Sequence, residues 1–272
     1  MKALVTGNVG FIGSQMQKYL ESNNHIVVGI DKEYLDIKSW RHVLKNLLSS
    51  SSPDVVFHIG ACSDTLERDV NYMMNLNYES TKIIADFCSE NQIPLIYSSS
   101  AANYGIEGLC PSNLYGWSKY CAEDYVISKG GIALRYFNVY GPGESHKGEM
   151  SSLAYQMFLK KKNKENVLLF PKDPKRDFVY IKDVISSNIY ACNNYSKLKG
   201  RYYHVGSGTA ESFEKMMNLM NIEFEYHEES KIPKGYQFFT CSNKDMWLNG
   251  WLPLYDLQEG IEDYKKFLEV YK

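Results

Sequence analysis

The stretch "VTGNVGFIG", residues 5–13, places three glycines between an apolar run and a segment with helical periodicity. The run "KALVT" has the length and composition of a strand, and the amphipathic segment extends from Phe11 to about Ser22. Glycine permits a tight turn and a close approach of backbone to phosphate, and a helix start adds unpaired N–H groups and a positive dipole end. The stretch therefore predicts a strand–turn–helix unit that binds a dinucleotide. The residues expected to contact it are Gly7, Gly10, Phe11, Ile12 and Gly13.

The second expected strand, "HIVVGI" at residues 25–30, is followed by Asp31, about twenty residues beyond the glycine turn. A carboxylate here accepts hydrogen bonds from both ribose hydroxyls of NAD, whereas the adjacent Lys32 could neutralise the extra phosphate of NADP or be a solvated loop cation. Asp36 stands before the next helix, where it could meet the adenine edge or cap that helix. The residues alone leave NAD and NADP open.

Apolar runs of strand length alternate with amphipathic segments of helix length through the first half of the chain. The further expected strands are "PDVVFHI", "IPLIYSS" and "GIALRYF", and the further expected helices are 37–49, about 70–91 and about 113–128. Uniformly apolar strands that alternate with helices indicate a parallel sheet covered on both faces. We therefore expect an α/β fold, with a Rossmann-type doubly wound parallel sheet over residues 1–137.

The alternation ends after Tyr136, where the glycine-rich "YGPGESHKGEM" leads into a helix at about 151–162. Short strands and helices then follow in no βα order. We expect a smaller, discontinuous C-terminal α/β lobe from about 138–177 and 201–272, with about 178–200 returning to the first domain. Such a lobe is expected to bind the substrate and to close over the carboxyl ends of the strands, where open α/β sheets bind ligands.

Composition narrows the class of protein. The 272 residues are 44% hydrophobic with a net charge of −2 and no basic block, which argues against nucleic-acid and membrane-surface binding. The longest apolar runs are too short to span a bilayer, and the N-terminus lacks a signal-peptide pattern. Six scattered cysteines without metal-ligand spacing are expected to be free thiols. We expect a cytoplasmic protein without a metal site.

The stretch "SNLYGWSKYCAE", residues 112–123, places Tyr115 four residues before Lys119. This spacing alone favours two surface side chains on one helix face over a catalytic pair. A tyrosine has a pKa of about 10, too high for a base near neutrality, but a nearby ammonium and a positive nicotinamide ring lower it. Ser100 ends the fourth expected strand within "IYSSSAANYG", where it could bond the substrate and Tyr115 or merely satisfy backbone groups. Together with the glycine turn, these residues predict a proton-transfer site.

These motifs resemble those of the extended short-chain dehydrogenase/reductase family, which contains the nucleotide-sugar epimerases and dehydratases. Further similar stretches are "HIGACSDT", "YMMNLNY", "RYFNVYGPGESHKGEMSSLAYQM", "KRDFVYIKDV", "GSGTAESFE" and "KGYQFFTCSNKD", spread over nearly the whole chain. The segments "HKGEMSS" and "KGYQFFT" are similar to the branch of this family that epimerises ADP-linked heptoses at carbon 6.

The resemblance implies a role for each matching residue. Ser100, Tyr115 and Lys119 would be catalytic, with Lys119 also holding the nicotinamide ribose. Asn77 and the backbone of Phe137 would lie along the cofactor, which the resemblance favours as NADP over NAD. The residues implied to contact the substrate are Ser100, Asn138, His146, Lys147, Arg176 and Tyr236, with Asn138 and Arg176 on its diphosphate and Lys147 as a second acid/base group.

The resemblance also implies a reaction. An epimerase of this type oxidises a carbinol and returns the hydride to the opposite face of the carbonyl, so a second proton-transfer group serves the turned sugar. The substrate would be a nucleotide-diphosphate sugar, ADP-linked in the heptose branch, and the enzyme a homo-oligomer. Two loops, after Asp31 and between Tyr104 and Tyr115, are shorter than in the family. Alternatives are another epimerase, a reductase or dehydratase of the family, and a non-catalytic nucleotide-binding protein; Asn103 and Gly105 stand where a dehydratase carries an Asp-Glu pair.

Overall fold

The computed structural model describes residues 1–33, 38–106, 108–234 and 236–270 of the chain. The chain forms two compact units: Met1–Arg135 with Ile185–Tyr203, and Tyr136–Val184 with His204–Lys272. The chain returns to the first unit at Ile185, later than the expected residue 178. That the units serve as cofactor domain and substrate lobe stays a prediction.

A parallel sheet forms the centre of the first unit. Within the described residues it has six strands in the order β2-β1-β3-β4-β5-β9. They are β1 (Lys2–Thr6), β2 (Ile26–Ile30), β3 (Val55–His58), β4 (Leu95–Ser100), β5 (Ile132–Tyr136) and β9 (Arg201–Val205). β1 pairs in parallel with both neighbours, so that Ala3 lies opposite Val27 and Val55. The strands β3 and β5 are buried along their whole length, as expected for a sheet covered on both faces.

Helices cover this sheet with apolar faces of helical spacing. They are α1 (Phe11–Ser22), α2 (Trp40–Ser51), α3 (Val70–Met74), α4 (Ser80–Glu90), α5 (Leu114–Ser128), α7 (Ile181–Asn193) and α8 (Tyr195–Leu198). Trp40, Leu44 and Leu48 recur every fourth residue in α2 and pack in one cluster with Ile84 of α4 and Val126 of α5. Burying each such side chain contributes about 1.5–3 kcal/mol. The Rossmann-type α/β fold predicted from the sequence is confirmed.

One expected helix is interrupted. The single helix predicted for about 70–91 is α3, a π-helical turn at Asn75–Glu79, and α4. Ser80 Oγ and Thr81 Oγ1 donate to the carbonyls of Leu76 and Asn77, at 2.5 and 2.7 Å, and such bonds to the preceding turn bend helices. Asn77 lies in this π turn, and its side chain is buried. Single π turns of this kind are frequent at functional sites.

The glycine turn lies at the switch point of the sheet, because the chain runs from β1 outward to β2 and then returns to β3 on the other side of β1. A Cβ at Gly7 would lie 2.5 Å from the Cα of Gly60, which follows β3. A Cβ at Gly13 would lie 2.0 Å from the carbonyl oxygen of Gly7. The turn therefore packs so tightly that no side chain fits at either position.

In its described residues, the second unit contains two small sheets. One has the order β10-β8-β6, with β6 (Asn138–Tyr140) parallel and β10 (Ala210–Ser212) antiparallel to β8 (Lys175–Tyr180). The other pairs β7 (Leu168–Leu169) with β11 (Glu225–Tyr226). The helices of this unit are α6 (Leu153–Lys162), α9 (Phe213–Leu219) and α10 (Leu257–Val270). Tyr140, Tyr180 and Tyr264 are fully buried and pack against one another, so aromatic rings fill its core.

In the part of the chain that the structure describes, no helix is both long and apolar enough to cross a membrane. The six cysteines are free thiols, as predicted.

The crowding at Gly13 generates a stability prediction. In Gly13→Ala, the new methyl group would meet the Gly7 carbonyl at 2.0 Å, so the turn must shift. Overpacking of this kind costs about 1–3 kcal/mol in the free energy of unfolding. Urea denaturation measures it. The matched variant Gly10→Ala meets the same carbonyl at 3.2 Å and should lose less. Equal losses in the two variants would contradict this account of the turn.

Candidate active site

The glycine turn has the properties of a phosphate cradle. Gly7 has φ +67°, a left-handed conformation that favours glycine, and its N–H donates to the carbonyl of Ile30 at 2.7 Å. α1 begins at Phe11 after the N-cap Gly10, with no side-chain cap and no acidic residue in its first turn. The helix start is therefore neither capped by a side chain nor shielded by a carboxylate, which suits an anionic diphosphate. The residues present fit a dinucleotide cofactor.

Asp31 lies beside this turn at the end of β2. One carboxylate oxygen accepts a hydrogen bond from the backbone N–H of Lys32 at 2.6 Å, and the other accepts from the N–H of Val9 at 3.4 Å. The Lys32 side chain is exposed. Both ribose candidates thus adjoin the glycine turn, and their contacts with a cofactor stay predictions. The third candidate, Asp36, lies outside the described residues.

The structure brings Ser100 and Tyr115 together. Ser100 ends β4 and accepts from the N–H of Ala102 at 3.1 Å, which starts the 3-10 turn Ala101–Tyr104. The Tyr115 hydroxyl is hydrogen-bonded to the Ser100 side chain. Gly116 makes this possible, because a Cβ there would lie 2.8 Å from the Ala102 carbonyl oxygen and would push the start of α5 away. The predicted helix start is confirmed, with Asn113 as its N-cap, accepting from Gly116 N–H at 2.8 Å.

Lys119 is buried on the next turn of α5. Its Nζ lies 4.2 Å from the centroid of the Tyr97 ring, so the ammonium faces an aromatic surface rather than water. Burial lowers the pKa of Lys119 to about 7, against the opposing charge of Glu123. Burial raises the pKa of Tyr115, and the Ser100 hydrogen bond opposes that rise. In the protein chain alone, burial thus outweighs the lowering of the tyrosine pKa expected from a neighbouring ammonium.

Asn77 positions the backbone around this site. Its Oδ1 accepts from the N–H of Cys62 at 2.8 Å, and its Nδ2 donates to the Cys62 carbonyl and to Ser118 Oγ, each at 2.9 Å. Ser118 Oγ in turn donates to the carbonyl of Tyr115. The side chain therefore joins the segment after β3 to α5. The predicted contact of Asn77 with a cofactor stays a prediction.

His58 is a buried residue that the sequence reasoning missed. Thr81 Oγ1 donates its hydrogen to the Asn77 carbonyl. His58 Nε2 lies 2.7 Å from Thr81 Oγ1 and therefore donates a hydrogen bond to that oxygen. Nδ1 then accepts from Thr6 Oγ1 at 2.7 Å, which makes the imidazole neutral. Burial and the charge of Lys119 lower the pKa of His58 to about 3, in agreement with a neutral ring. Polar residues that end otherwise apolar strands, as Thr6 and His58 do, were the available signal.

In the second unit, Arg176 and Tyr236 meet. The guanidinium lies 5.5 Å from the Tyr236 ring centroid and is hydrogen-bonded to its hydroxyl. It also donates to the carbonyls of Lys175, at 2.9 Å, and Gln237. Burial lowers the pKa of Arg176. A half-buried guanidinium is the type of group that binds a diphosphate.

The other predicted substrate residues lie on β6 and the loop after it. Asn138 is exposed on β6, the strand next to β8, and its Oδ1 accepts from Thr240 Oγ1 at 3.4 Å. Phe137 is buried, and its N–H donates to the carbonyl of Val205 at 3.0 Å. His146 is exposed and Lys147 is half-buried in the 3-10 segment Ser145–Met150. The roles of these residues toward cofactor and substrate stay predictions.

Glu144 fixes the loop that carries Lys147, and no sequence motif pointed to it. Its buried carboxylate accepts from the N–H and hydroxyl of Ser152, at 2.5 and 2.7 Å, from the Gly141 N–H at 3.3 Å, and from the Tyr264 hydroxyl at 3.0 Å. Donors from both ends of the loop and from α10 therefore bind the same carboxylate, which holds the two ends of the loop together. Burial lowers the pKa of Lys147, and the Glu144 charge opposes this shift.

Asp177 is a second anchor that the sequence reasoning missed. Its buried carboxylate accepts from the N–H groups of Ser207 at 2.6 Å, Gly208 at 3.1 Å and Ser242 at 2.9 Å. It therefore holds two loops against β8, directly beside Arg176.

Comparison with known proteins places this geometry in a family. Residues 3–206, most of the chain, match the NAD-dependent epimerase/dehydratase family. Among solved structures, ADP-L-glycero-D-manno-heptose-6-epimerase of Helicobacter pylori is similar at 27% identity, with a TM-score of 0.79 over 98% of this chain and 96% of that one.

Two further solved structures, at lower identity, show the fold alone. UDP-glucose 4-epimerase of Thermotoga maritima, solved with UDP-glucose, matches over 100% of both chains at 22% identity and a TM-score of 0.85. UDP-glucuronic acid 4-epimerase of Bacillus cereus, solved with UDP-glucuronic acid and NAD, matches over 100% of both chains at 20% identity and a TM-score of 0.82. The family match over residues 3–206 confirms what the motifs predict: the chain belongs to the NAD-dependent epimerase/dehydratase family, within the extended short-chain dehydrogenases/reductases.

Proposed function

We propose that the protein is a nucleotide-sugar epimerase that acts on an ADP-linked heptose at carbon 6. The observation that carries the proposal is the hydrogen-bonded Ser100–Tyr115 pair with the buried Lys119 one helical turn away. β1, β3 and β4 are parallel, so the glycine turn after β1 and Ser100 at the end of β4 share one edge of the sheet. This arrangement supports a proton-transfer site at the same edge of the sheet as the proposed cofactor site.

The chain's own residues supply the acid/base chemistry of this proposal. NAD or NADP, held at the glycine turn, would supply the acceptor and donor of the hydride that leaves the substrate carbinol and comes back to it. Tyr115 takes the hydroxyl proton as the carbonyl forms, and Ser100 holds the substrate oxygen by a hydrogen bond. The protonated form of Lys119 stabilises the Tyr115 phenolate. Burial raises the tyrosine pKa in the chain alone, so this support of the phenolate is required for a base near neutrality.

Lys147 is proposed as the proton-transfer group for the second orientation of the sugar. The support is its half-buried position in a loop that Glu144 closes, and a pKa that burial lowers from its usual range. An amine with a pKa nearer the working pH exchanges protons more effectively. Returning the hydride to the other face of the carbonyl needs such a second group because Tyr115 serves only one orientation.

Substrate recognition is proposed to rest on the second unit. Arg176, flanked by the rings of Phe213 and Tyr236 at 5.5 Å each, would hold the diphosphate, with Asn138 on the adjacent strand. The similarity to the Helicobacter pylori heptose epimerase, together with the "HKGEMSS" and "KGYQFFT" segments, supports an ADP-linked heptose over other nucleotide sugars. We expect the enzyme to be a cytoplasmic homo-oligomer, by analogy with the family.

The cofactor is proposed to be NADP, with NAD as the alternative. The exposed Lys32 adjoins Asp31 beside the glycine turn and could balance a 2′-phosphate. Mass spectrometry of the purified protein after denaturation should therefore detect NADP in preference to NAD, and the empty protein should bind NADP more tightly. A protein that binds NAD alone would contradict the cofactor assignment. One that binds neither would contradict the proposed function.

The reaction itself is tested with a panel of nucleotide sugars followed by proton NMR without added reductant. We expect interconversion of ADP-linked heptose epimers, and Tyr115→Phe should lower turnover by about 10³-fold with cofactor affinity nearly unchanged, since the proton-transfer group is lost. Tyr120→Phe, on the exposed side of the same helix, is the matched control and should behave like the wild type. Full activity in Tyr115→Phe would refute the assignment, and reduction or water loss without epimer formation would favour a reductase or dehydratase.

Removal of the second proton-transfer group should separate the two half-reactions. Lys147→Met should lower epimerisation by about 10²–10³-fold while cofactor reduction by one epimer persists, because Tyr115 still serves that orientation. Single-turnover absorbance of the reduced cofactor measures the surviving half-reaction. Lys266→Met removes an exposed lysine from α10 of the same unit as a control. If Lys147→Met epimerises at the wild-type rate, the two-group scheme is wrong.

A further inference from the structure

Glu123 is a buried carboxylate one helical turn after Lys119 in α5, with a relative exposure of 3%. Its Oε2 accepts from Ser99 Oγ at 2.6 Å and from Asn103 Nδ2 at 3.1 Å. Arg135 of β5 binds both oxygens, through Nε at 2.8 Å and Nη2 at 2.5 Å. One carboxylate thus collects four hydrogen bonds from three other elements of the first unit.

Two partners of Glu123, Ser99 and Asn103, lie on the elements that end and start at the proposed catalytic Ser100. Ser99 precedes Ser100 at the end of β4, and Asn103 lies in the 3-10 turn that Ser100 starts. Asn103 Nδ2 also donates to Ser99 Oγ at 3.1 Å, which closes the network. The end of β4 is therefore tied directly to the helix that carries Tyr115.

Arg135 fixes the other side of the network. Its guanidinium lies 3.7 Å from the centroid of the Tyr202 ring and 4.6 Å from that of Tyr104. A buried ion pair is weak support for stability, because well-packed apolar residues of the same volume often serve as well or better. Stability alone therefore gives no strong reason for a charged pair at this place.

We propose that Glu123 is a positioning residue of the active site, which holds Ser100 in place through Ser99 and acts on Lys119 across one helical turn. The proposal rests on the proposed roles of Ser100, Tyr115 and Lys119. Residues four apart share one helix face, so Glu123 and Lys119 are direct neighbours. Glu123 is the group whose charge opposes the effect of burial on the pKa of Lys119.

The sign of the effect follows from these shifts. Burial lowers the pKa of Lys119 to about 7, so near neutrality the group is about half protonated. Removing the Glu123 charge lowers that pKa further and reduces the ammonium fraction. With less ammonium, the Tyr115 phenolate is less stabilised and its pKa rises. Because the pKa of Tyr115 lies above that of Lys119, the form with phenolate beside ammonium is a minor one, and it becomes rarer when the two pKa values move apart. The limb set by Lys119 should move to lower pH, the limb set by Tyr115 to higher pH, and the plateau between them should fall.

The titratable groups that surround Lys119 and Tyr115 each keep one protonation state near neutral pH. From β3, His58 has a pKa of about 3 and is neutral. From β4, burial holds the pKa of Tyr97 well above its usual range, and that of Tyr104 in the 3-10 turn is also raised. Arg135 of β5 has a raised pKa and stays cationic. The Cys62 thiol near Tyr115 has a raised pKa and stays protonated. A moved pH profile therefore reports Lys119 and Tyr115.

The test compares Glu123→Gln, which removes the charge and keeps the shape, with Glu123→Asp, which keeps the charge on a shorter side chain. Lysine labelled with ¹³C at the ε carbon reports the Lys119 titration by NMR, with Lys119→Met for assignment. The pH profile of kcat for the epimerase is the second readout. Asp124→Asn removes a carboxylate from the exposed side of the same helix and is the matched control.

In Glu123→Gln we expect a lower Lys119 pKa, a broader pH profile and about tenfold lower kcat at neutral pH, because the form with phenolate beside ammonium becomes rarer. Glu123→Asp should retain the wild-type limb positions with a lower kcat at every pH, because its shorter side chain no longer reaches Ser99. Asp124→Asn should match the wild type in both readouts. A purely structural Glu123 would lower kcat and thermal stability without moving the limbs.

Glu123→Gln leaves Arg135 without its counter-charge and could fail to fold. The double variant Glu123→Gln, Arg135→Gln removes both charges and should show the same lower Lys119 pKa. A folded Gln variant whose Lys119 titration and pH profile match the wild type would overturn the proposal. If Lys119 shifts as expected but the wild type epimerises no nucleotide sugar, the proposed function fails and the effect of Glu123 on Lys119 stands.

Discussion

Backbone crowding at the switch point of the sheet is the constraint on which the first unit depends. The turn after β1 packs between the start of α1 and the segment after β3, with no space for a Cβ at Gly7 or Gly13. This packing sets the start of α1 beside the carboxyl ends of the parallel strands. Because β4 ends at the same edge, Ser100 and the glycine turn share it.

Desolvation is the dominant electrostatic effect at the proposed active site. It moves the pKa of Lys119 down and that of Tyr115 up, so both side chains favour their neutral forms in the chain alone. The Ser100 hydrogen bond and the Glu123 charge work against these shifts. Near neutrality Lys119 is therefore close to a balance of its two forms, whereas Tyr115 is neutral, and charges brought by bound ligands can shift both pKa values. This arrangement suits a reaction in which a proton leaves and later returns.

The sequence predicted the elements that depend on local pattern. The limits of β1 and α1 agree with the structure, because apolar periodicity and the glycine turn are local signals. The helix expected over 70–91 was wrong in detail, because the π turn depends on the buried bonds of Asn77 to Cys62 and Ser118. These partners are 15 and 41 residues away in the sequence, and bonds between such distant residues produce no periodic pattern of apolar residues.

The candidate site was predictable where it follows short motifs. Ser100, Tyr115 and Lys119 lie together, as their motif indicates. The acids that anchor the loops were missed, since Glu144 meets Tyr264 across 120 residues and Asp177 meets Ser242 across 65. The pKa direction of Tyr115 also required the structure, because burial results from packing and not from the spacing of Tyr115 and Lys119.

The π turn at Asn75–Glu79 puts α3 and α4 out of phase by one residue, about 100° of helical rotation. α3 contacts α5, whereas α4 contacts both α2 and α5. An uninterrupted helix could not present the same faces to these neighbours. A single additional residue thus allows one stretch of chain to match two different packing surfaces, and the length of this segment is as much a part of the fold as its composition.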